Sequence, residues 1–171
     1  MKKRRTIAWN AAVSSGENAR HTLPRLASEF FALGRTAAAH GATTAQLHAF
    51  RLAAKRFRYT LELFAPLYGP RYIDHVEEVR RIQSLLGDRQ DCVVLGERLK
   101  KQDPHDPALV DILRKVSADG DALEEKFRRY WQGTFDAPGV EVAWGRYLTR
   151  RPPAPRGVRQ ALSLPHPQTA D

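Results

Sequence analysis

Residues 47–63, LHAFRLAAKRFRYTLEL, carry two side-chain patterns that both repeat at the spacing of an α-helix. With about 3.6 residues per turn, the apolar side chains fall on one face: Leu47, Phe50, Ala54, Phe57, Leu61 and, just beyond, Phe64. Another face is mostly basic and carries His48, Arg51, Lys55, Arg58 and Tyr59. The apolar face predicts a helix that packs on a core of other helices. Like charges at this spacing cost roughly a few tenths of a kcal/mol per pair, so helix stability does not explain the basic face.

Three further stretches show the apolar periodicity of amphipathic helices. The first, from about residue 15, carries Ala19, Leu23, Leu26, Phe30, Leu33 and Ala37. The next, residues 71–101, carries Tyr72, Val76, Val79, Ile82, Leu86 and Val93. The last, ending near residue 132, carries Leu109, Ile112, Leu113, Val116, Leu123, Phe127 and Trp131. We therefore predict an all-α protein, an up-down-up-down four-helix bundle with short loops.

Local signals mark where these helices begin and end. Gly41 ends the first helix, and residues 43–46, TTAQ, resemble a capping box that begins the second. Asp106 followed by proline is a strong start signal for the fourth helix. Gly87 lies inside the third helix, where glycine costs up to about 1 kcal/mol relative to alanine. We expect this glycine to mark close helix packing or a small bend.

The net charge of +9 lies mainly at the two ends of the chain. Residues 1–9 contain four basic side chains and no acid, and residues 137–171 contain five arginines against two acids. Residues 10–136 therefore carry a net charge of only +2, so any positive field there must come from clustering.

The same composition suggests three segments. We assign residues 1–14 to a basic N-terminal tail, residues 15–135 to the bundle and residues 136–171 to a C-terminal extension. The end of the extension is rich in proline and arginine, which predicts disorder for most of it. Before that end, Trp144, Tyr147 and Leu148 are expected to dock back on the bundle as a short segment.

Motifs for several kinds of chemistry are absent from the sequence. There is no nucleotide-binding glycine loop, no HExxH and no ExxH pair, and the six histidines lack metal-ligand spacing. Cys92, the only cysteine, is best explained as a small core residue. We expect no metal, no cofactor and no enzymatic activity. Because no apolar run reaches about 18 residues and the N-terminus lacks an apolar signal core, we expect a cytoplasmic protein without membrane association.

Two explanations of the basic face of residues 47–63 remain open. Acids on the third helix could pair with it, and the candidates are Glu77, Glu78, Asp88 and Asp91. Alternatively the face binds phosphates, because arginine offers a planar fork, lysine a point charge and histidine a donor whose protonation an anion favours. Residues 48 to 58 span about 15 Å at 1.5 Å per residue, which suits several consecutive phosphates better than one.

Two patterns in the chain resemble the CHAD family of α-helical domains. The family's motif helix, roughly LHxxRxxxKRxRYxxE, is matched by Leu47, His48, Arg51, Lys55, Arg56, Arg58, Tyr59 and Glu62. A second pattern similar to LQxxLGxxxD is matched by Gln83, Leu86, Gly87 and Asp91. The resemblance covers about residues 15–132. It implies binding of inorganic polyphosphate, without catalysis, and suggests an association with cytoplasmic polyphosphate granules.

On this resemblance, the expected polyphosphate contacts are His48, Arg51, Lys55, Arg56, Arg58, Tyr59 and Arg81. Arg56 lies about 80° to 100° around the helix from the basic row, so it belongs to a second edge or to a salt bridge. Tyr59 would donate its hydroxyl to a phosphate or to Asp91. On the third helix, Arg81 would widen the surface together with Arg80 and Arg89.

Typical family members contain two four-helix units with a motif helix in each, whereas this chain resembles the second unit alone. Either a homodimer that rebuilds the pair or a smaller, weaker binder would follow. A nucleic-acid binder stays open, because phosphate contacts do not separate DNA, RNA and polyphosphate. It is the weaker alternative, since the face offers one aromatic, Tyr59, and few amides to read bases. A scaffolding bundle whose basic face meets an acidic protein is the third possibility.

Overall fold

The computed structural model describes residues 9–102 and 106–150 of the chain. These residues form five α-helices: α1 Ser15–Ala38, α2 Thr44–Phe64, α3 Arg71–Leu99, α4 Pro107–Thr134 and α5 Val140–Thr149, with a 3-10 turn at Ala65–Leu67 after α2. No strand occurs within them. The all-α prediction is therefore confirmed, but the helix count is corrected from four to five.

The starts of three helices follow the capping signals in the sequence. Ser14 and Glu17 form a capping box before α1, and Thr43 and Gln46 form the predicted one before α2. The side chain of Asp106 accepts a hydrogen bond of 2.9 Å from a backbone N–H two residues on, which caps α4 as expected. Each cap satisfies backbone donors that have no partner inside the helix, so local sequence fixes these boundaries.

An aromatic cluster at the centre of the core joins α1, α2 and α4. The ring centroid of Phe30 lies 5.1 Å from that of Phe50, 5.2 Å from that of Phe57 and 5.6 Å from that of Trp131. Gly34 on α1 leaves room for the indole, because a Cβ at this position would lie 2.0 Å from a carbon of the Trp131 ring. This packing fixes α2 with its apolar face inward.

The extra helix, α5, packs between α1 and α3. Trp144 and Leu148 are buried, with the Trp144 ring 6.0 Å from Phe31 of α1 and 4.2 Å from His75 of α3. Apolar residues one turn apart dock this helix on the core. It forms inside residues 136–171, for which the composition of the proline-rich end predicts mostly disorder.

Two of the predicted segments fall largely outside the described residues. The basic tail, residues 1–14, is described only from residue 9, and the extension, residues 136–171, only as far as residue 150. The division of the chain after residues 14 and 135 stays a prediction.

Three tyrosines pack together at the end of the bundle where α2 leads into α3. Tyr68 and Tyr72 stack with ring centroids 4.4 Å apart, and Tyr147 of α5 lies 6.3 Å from Tyr72. The buried Tyr72 hydroxyl has no hydrogen-bond partner in the described part of the chain. Burial, followed by the two neighbouring tyrosines, raises the pKa of Tyr72 far above its ordinary value. The cluster therefore favours the neutral phenol.

The distal parts of α3 and α4, residues 87–99 and 107–126, form a two-helix arm. Burial ends at Leu86 in α3 and begins at Phe127 in α4, so the arm contains no buried residue. The arm passes the start of α2, and α1 and α2 therefore do not cover it. Val93 and most of the apolar face of α4 are consequently only partly buried, although their periodicity predicts core positions.

Candidate functional site

The basic side chains of residues 47–63 lie on the outer surface of α2, because the opposite face of the helix is buried. His48, Lys55 and Tyr59 are exposed, whereas Arg51 and Arg58 are half-buried. The neighbours of α2 are α1 on one side and α3 on the other. Cations at the edges of the surface can therefore reach other helices, while those in the middle face solvent.

Arg58 is held in the contact between α2 and α3. Its Nε donates to Gln83 Oε1 at 2.6 Å, and its Nη1 donates to Glu62 Oε1 at 2.6 Å. The guanidinium carbon also lies 4.2 Å from the ring centroid of Tyr59, within the range of a cation–π contact. Only 14% of the side chain is exposed. These contacts fix Arg58 and occupy much of its charge and donor capacity.

Arg56 lies on the other edge of α2 and forms an ion pair with Glu29 of α1. Arg56 was expected on a second edge or in a salt bridge, and in the structure the two occur together. About a third of each side chain is exposed, 31% for Arg56 and 30% for Glu29. Arg56 therefore links α1 to α2 rather than continuing the outward-facing row.

Three side chains of α2, His48, Arg51 and Lys55, form neither an ion pair nor a hydrogen bond with any described residue, and we call them the open row. The Nε of Arg51 is shielded from solvent without an acceptor, which is unfavourable for a donor on a charged group. Lys55 Nζ lies 5.8 Å from the centroid of the Tyr59 ring. From residue 48 to residue 55 the open row covers about 10 Å of the helix.

Tyr59 stands where the open row meets Arg58. Half of it is exposed, 50%, and its ring contacts the cations of both Lys55 and Arg58. The hydrogen bond to Asp91 that was one of its two expected roles does not occur among the described residues. Its hydroxyl is thus placed beside the open row without a partner from α3.

Arg80 and Arg89 each bridge α3 to a neighbouring helix. Arg80 pairs with Glu62 of α2 at 3.0 Å and with Glu77 of its own helix. The hydrogen bond with Glu62, and then the charge of Glu77, raises the pKa of Arg80 above its ordinary value. Arg89 pairs with Glu124 of α4 at 3.2 Å. Both arginines have partners, and Arg80 adjoins the α2 surface through Glu62.

Arg81 lies on the side of α3 that faces α4. Its guanidinium carbon is 5.9 Å from the ring centroid of Tyr130, which belongs to α4. One residue turns an α-helix by about 100°, so Arg80 meets α2 while Arg81 meets α4. The structure therefore does not bring Arg81 together with the α2 residues that were predicted to share its ligand.

The acids of α3 do not lie across the open row. Glu77 pairs with Arg80, and Glu78 lies 3.1 Å from His75. Asp88 and Asp91 form no ion pair within residues 9–102 and 106–150. Among the described residues, the ion pairs that involve α2 are Arg56–Glu29, Arg58–Glu62 within α2, and Glu62–Arg80.

Two residues that organise the site had no role in the sequence analysis. Gln83 matched a sequence pattern but was given no function, and the structure makes it the acceptor for Arg58. Glu29 lies 27 residues before its partner Arg56, on a different helix, so no local spacing signals the pair.

No three histidine, cysteine, aspartate or glutamate side chains in the described part of the chain group together as a metal site would require. No helix there combines the length and apolar character needed to cross a membrane.

Comparison with known proteins identifies the family. No curated protein and no solved structure gives a significant match to the chain. The family model described as CHAD domain matches residues 3–100, more than half of the 171 residues. The match takes in α1, α2 and α3, with the open row at its middle, and ends before α4, short of the residue 132 to which the resemblance extended. The chain belongs to the CHAD domain family.

Proposed function

We propose that this protein is a non-enzymatic module that binds inorganic polyphosphate along the outer surface of α2. The observation that carries the proposal is the open row, where His48, Arg51 and Lys55 have no counter-charge among the described residues. Like charges that repel within a helix become favourable when a polyanion lies along them. Family membership supports the same ligand.

The chemistry of the open row suits consecutive phosphate groups. Arg51 offers parallel N–H donors that match phosphate oxygens, and Lys55 adds a compact charge. His48 can donate a ring N–H to a phosphate oxygen. Arg58 and Tyr59 border the row, and we assign Arg58 the task of holding the Tyr59 ring in place beside it.

The experiment that tests this function is the double variant Arg51→Glu/Lys55→Glu, titrated with long-chain inorganic polyphosphate by calorimetry. Its affinity should fall by about 100-fold, because two charge-assisted contacts are replaced by repulsion. The matched control is Arg98→Glu/Lys101→Glu, which changes the net charge equally at exposed positions at the end of α3 and just beyond it and should cost much less. Wild-type binding should also weaken steeply between low and high salt.

Several outcomes would contradict the proposal. Equal affinity losses in both double variants would show a response to net charge alone, and unchanged affinity in Arg51→Glu/Lys55→Glu would favour a scaffolding bundle with an acidic protein partner. Failure of excess polyphosphate to displace nucleic acid would favour the nucleic-acid alternative. Phosphate release from polyphosphate that is lost in His48→Ala would identify an enzyme instead.

A separate measurement tests whether one bundle binds alone or two bind as a dimer. Sedimentation of the protein with and without polyphosphate distinguishes a single bundle that binds alone from a homodimer.

A further inference from the structure

Gly87 sits in the middle of α3 without a reason in the packing of the protein. Glycine in a helix interior costs on the order of 1 kcal/mol relative to alanine, so its presence calls for a cause. Close packing is not that cause, because a Cβ at Gly87 would meet no atom within 4 Å. The helix is not interrupted at Gly87 either, since α3 runs as one helix from Arg71 to Leu99. Gly34 shows the contrast, because a Cβ there would overlap the Trp131 ring.

The contacts between α2 and α3 show where the empty space above Gly87 lies. Arg58 meets Gln83 at 2.6 Å on one side, and Arg89 meets Thr44 at 3.5 Å on the other. Because the two helices are antiparallel, Gly87 falls between these contacts, opposite the middle of α2. On a helical projection it lies about 40° from Gln83 and about 20° from the exposed Arg80. Gly87 is therefore at the outer lip of the α2–α3 contact rather than in the core.

The middle of α2, opposite this lip, carries Arg51. Arg51 is half-buried, its Nε is shielded from solvent, and no described residue accepts a hydrogen bond from it. From the two flanking contacts, a guanidinium without an acceptor and a helix position without a side chain are expected at a similar level along α2 and α3. Asp91, exposed one turn beyond Gly87, bounds this space toward the arm with a negative charge.

We propose that Gly87 keeps open the space in which a phosphate group of the polyanion reaches Arg51. The inference rests on the proposed function and extends it, because it adds a position on α3 to a site otherwise built from α2. The polyanion then lies between the two helices, against the backbone of α3 at Gly87, as well as along the outer surface of α2. A side chain at position 87 would occupy the place of the phosphate.

The test is a size series at position 87, Gly87→Ala and Gly87→Leu, titrated with long-chain inorganic polyphosphate and melted without ligand. Gly87→Ala should not lower Tm, because the added Cβ meets no atom within 4 Å and alanine favours the helix more than glycine does. Leucine also favours the helix more than glycine, and its Tm shows directly whether the longer side chain is accommodated. Affinity should fall a few-fold for alanine and by about tenfold or more for leucine, since blocking one charge-assisted contact accounts for that much. The control is Gly133→Ala in α4, where a Cβ also meets no atom within 4 Å, and its affinity should match wild type.

The outcomes separate this inference from the function beneath it. If both Gly87 variants bind like wild type while Arg51→Glu/Lys55→Glu loses binding, position 87 is not part of the site and the proposed function stands. If wild type itself does not bind polyphosphate, both proposals fail. A lower Tm in Gly87→Ala would mean that the glycine serves the fold, and it would overturn the inference whatever the affinity.

Discussion

Cations at the two edges of the α2 surface have protein partners, whereas the other cations of this surface have none within the described residues. At the edges, Arg56 and Arg58 are held by carboxylates and an amide from α1, α2 and α3. No such partner within the described residues reaches His48 or Lys55 between the edges, or Arg51, which lies only about 20° around the helix from Arg58. Basic residues of one helix thus differ in whether their charge is neutralised. The difference depends on whether a side chain reaches an acceptor on a neighbouring helix.

This contrast separates cations that hold the bundle together from cations available to a ligand. A guanidinium bound by two acceptors can bind phosphate only by giving up those contacts, so the gain in binding is offset. A cation without protein partners gives up no such contact. We therefore expect substitutions at the held arginines to affect stability first, and substitutions in the open row to affect affinity first.

The largest effect that tests this contrast is expected from Arg58→Ala. The change removes the donor to Gln83, one of two donors to Glu62 and the cation stacked on Tyr59. Stability should fall by about 2 kcal/mol, because half-buried acceptors lose charged donors. Urea denaturation measures the change, with Arg51→Ala as the matched variant. Arg51→Ala should stay within about 0.5 kcal/mol of wild type, and an equal loss in both variants would remove the distinction.

A somewhat smaller effect is expected from Tyr72→Phe, at the end of the bundle where α2 leads into α3. The raised pKa of Tyr72 means that its contribution to stability is complete below pH 10 and is lost as pH rises above that value. Wild type should lose about 1.4 kcal/mol by pH 11 that the phenylalanine variant retains. At pH 8 the variant should be at least as stable as wild type, because the hydroxyl it removes has no partner in the described chain.

Urea denaturation of both proteins at pH 8, 10 and 11 measures this difference. Parallel loss of stability in the two proteins would assign the alkaline transition to other groups.

The smallest effect on stability is expected from neutralising neighbouring cations one at a time. Arg56→Gln should cost at most about 1 kcal/mol, because its ion pair with Glu29 is partly exposed, and should change polyphosphate affinity by no more than a few-fold. Lys55→Gln should leave stability unchanged and lower affinity by about tenfold. Calorimetric titration and thermal denaturation of both variants decide the matter, and the reverse ranking of affinities would place the ligand on the α1 side of α2.

Local sequence predicted the helices well and their surroundings less well. The capping residues Thr43 and Asp106 marked helix starts correctly, because a cap acts through its own backbone neighbours. The apolar face of α4 was read as core along its whole length, yet only Phe127 and Trp131 are buried within α4. Periodicity reports which face is apolar, but the lengths of α1 and α2 decide how much of that face is covered.

The candidate site shows the same division between local and distant information. The motif helix located the open row, since residues three and four apart share a face. It did not distinguish the open row from Arg56, because Glu29 lies on another helix. Whether Arg81 shares the surface of α2 depends on how α3 is turned about its own axis, which the sequence does not give. Neighbouring residues of a helix point about 100° apart. Near the C-terminus, the segment with Trp144 and Leu148 was expected to dock on the bundle, and both side chains are buried there. That this segment forms a further helix, α5, was not predicted.

The continuous helix α3 crosses from a covered region to an uncovered one, and this has a consequence for its local opening. Up to Leu86 its backbone amides lie beneath buried side chains, and their hydrogen exchange requires the bundle to unfold. Beyond Gly87 the same helix is supported by α4 and by one long hydrogen bond from Arg89 to Thr44 of α2, so its amides are expected to exchange by opening of the arm. One uninterrupted helix therefore carries two levels of protection, and the step between them falls at Gly87.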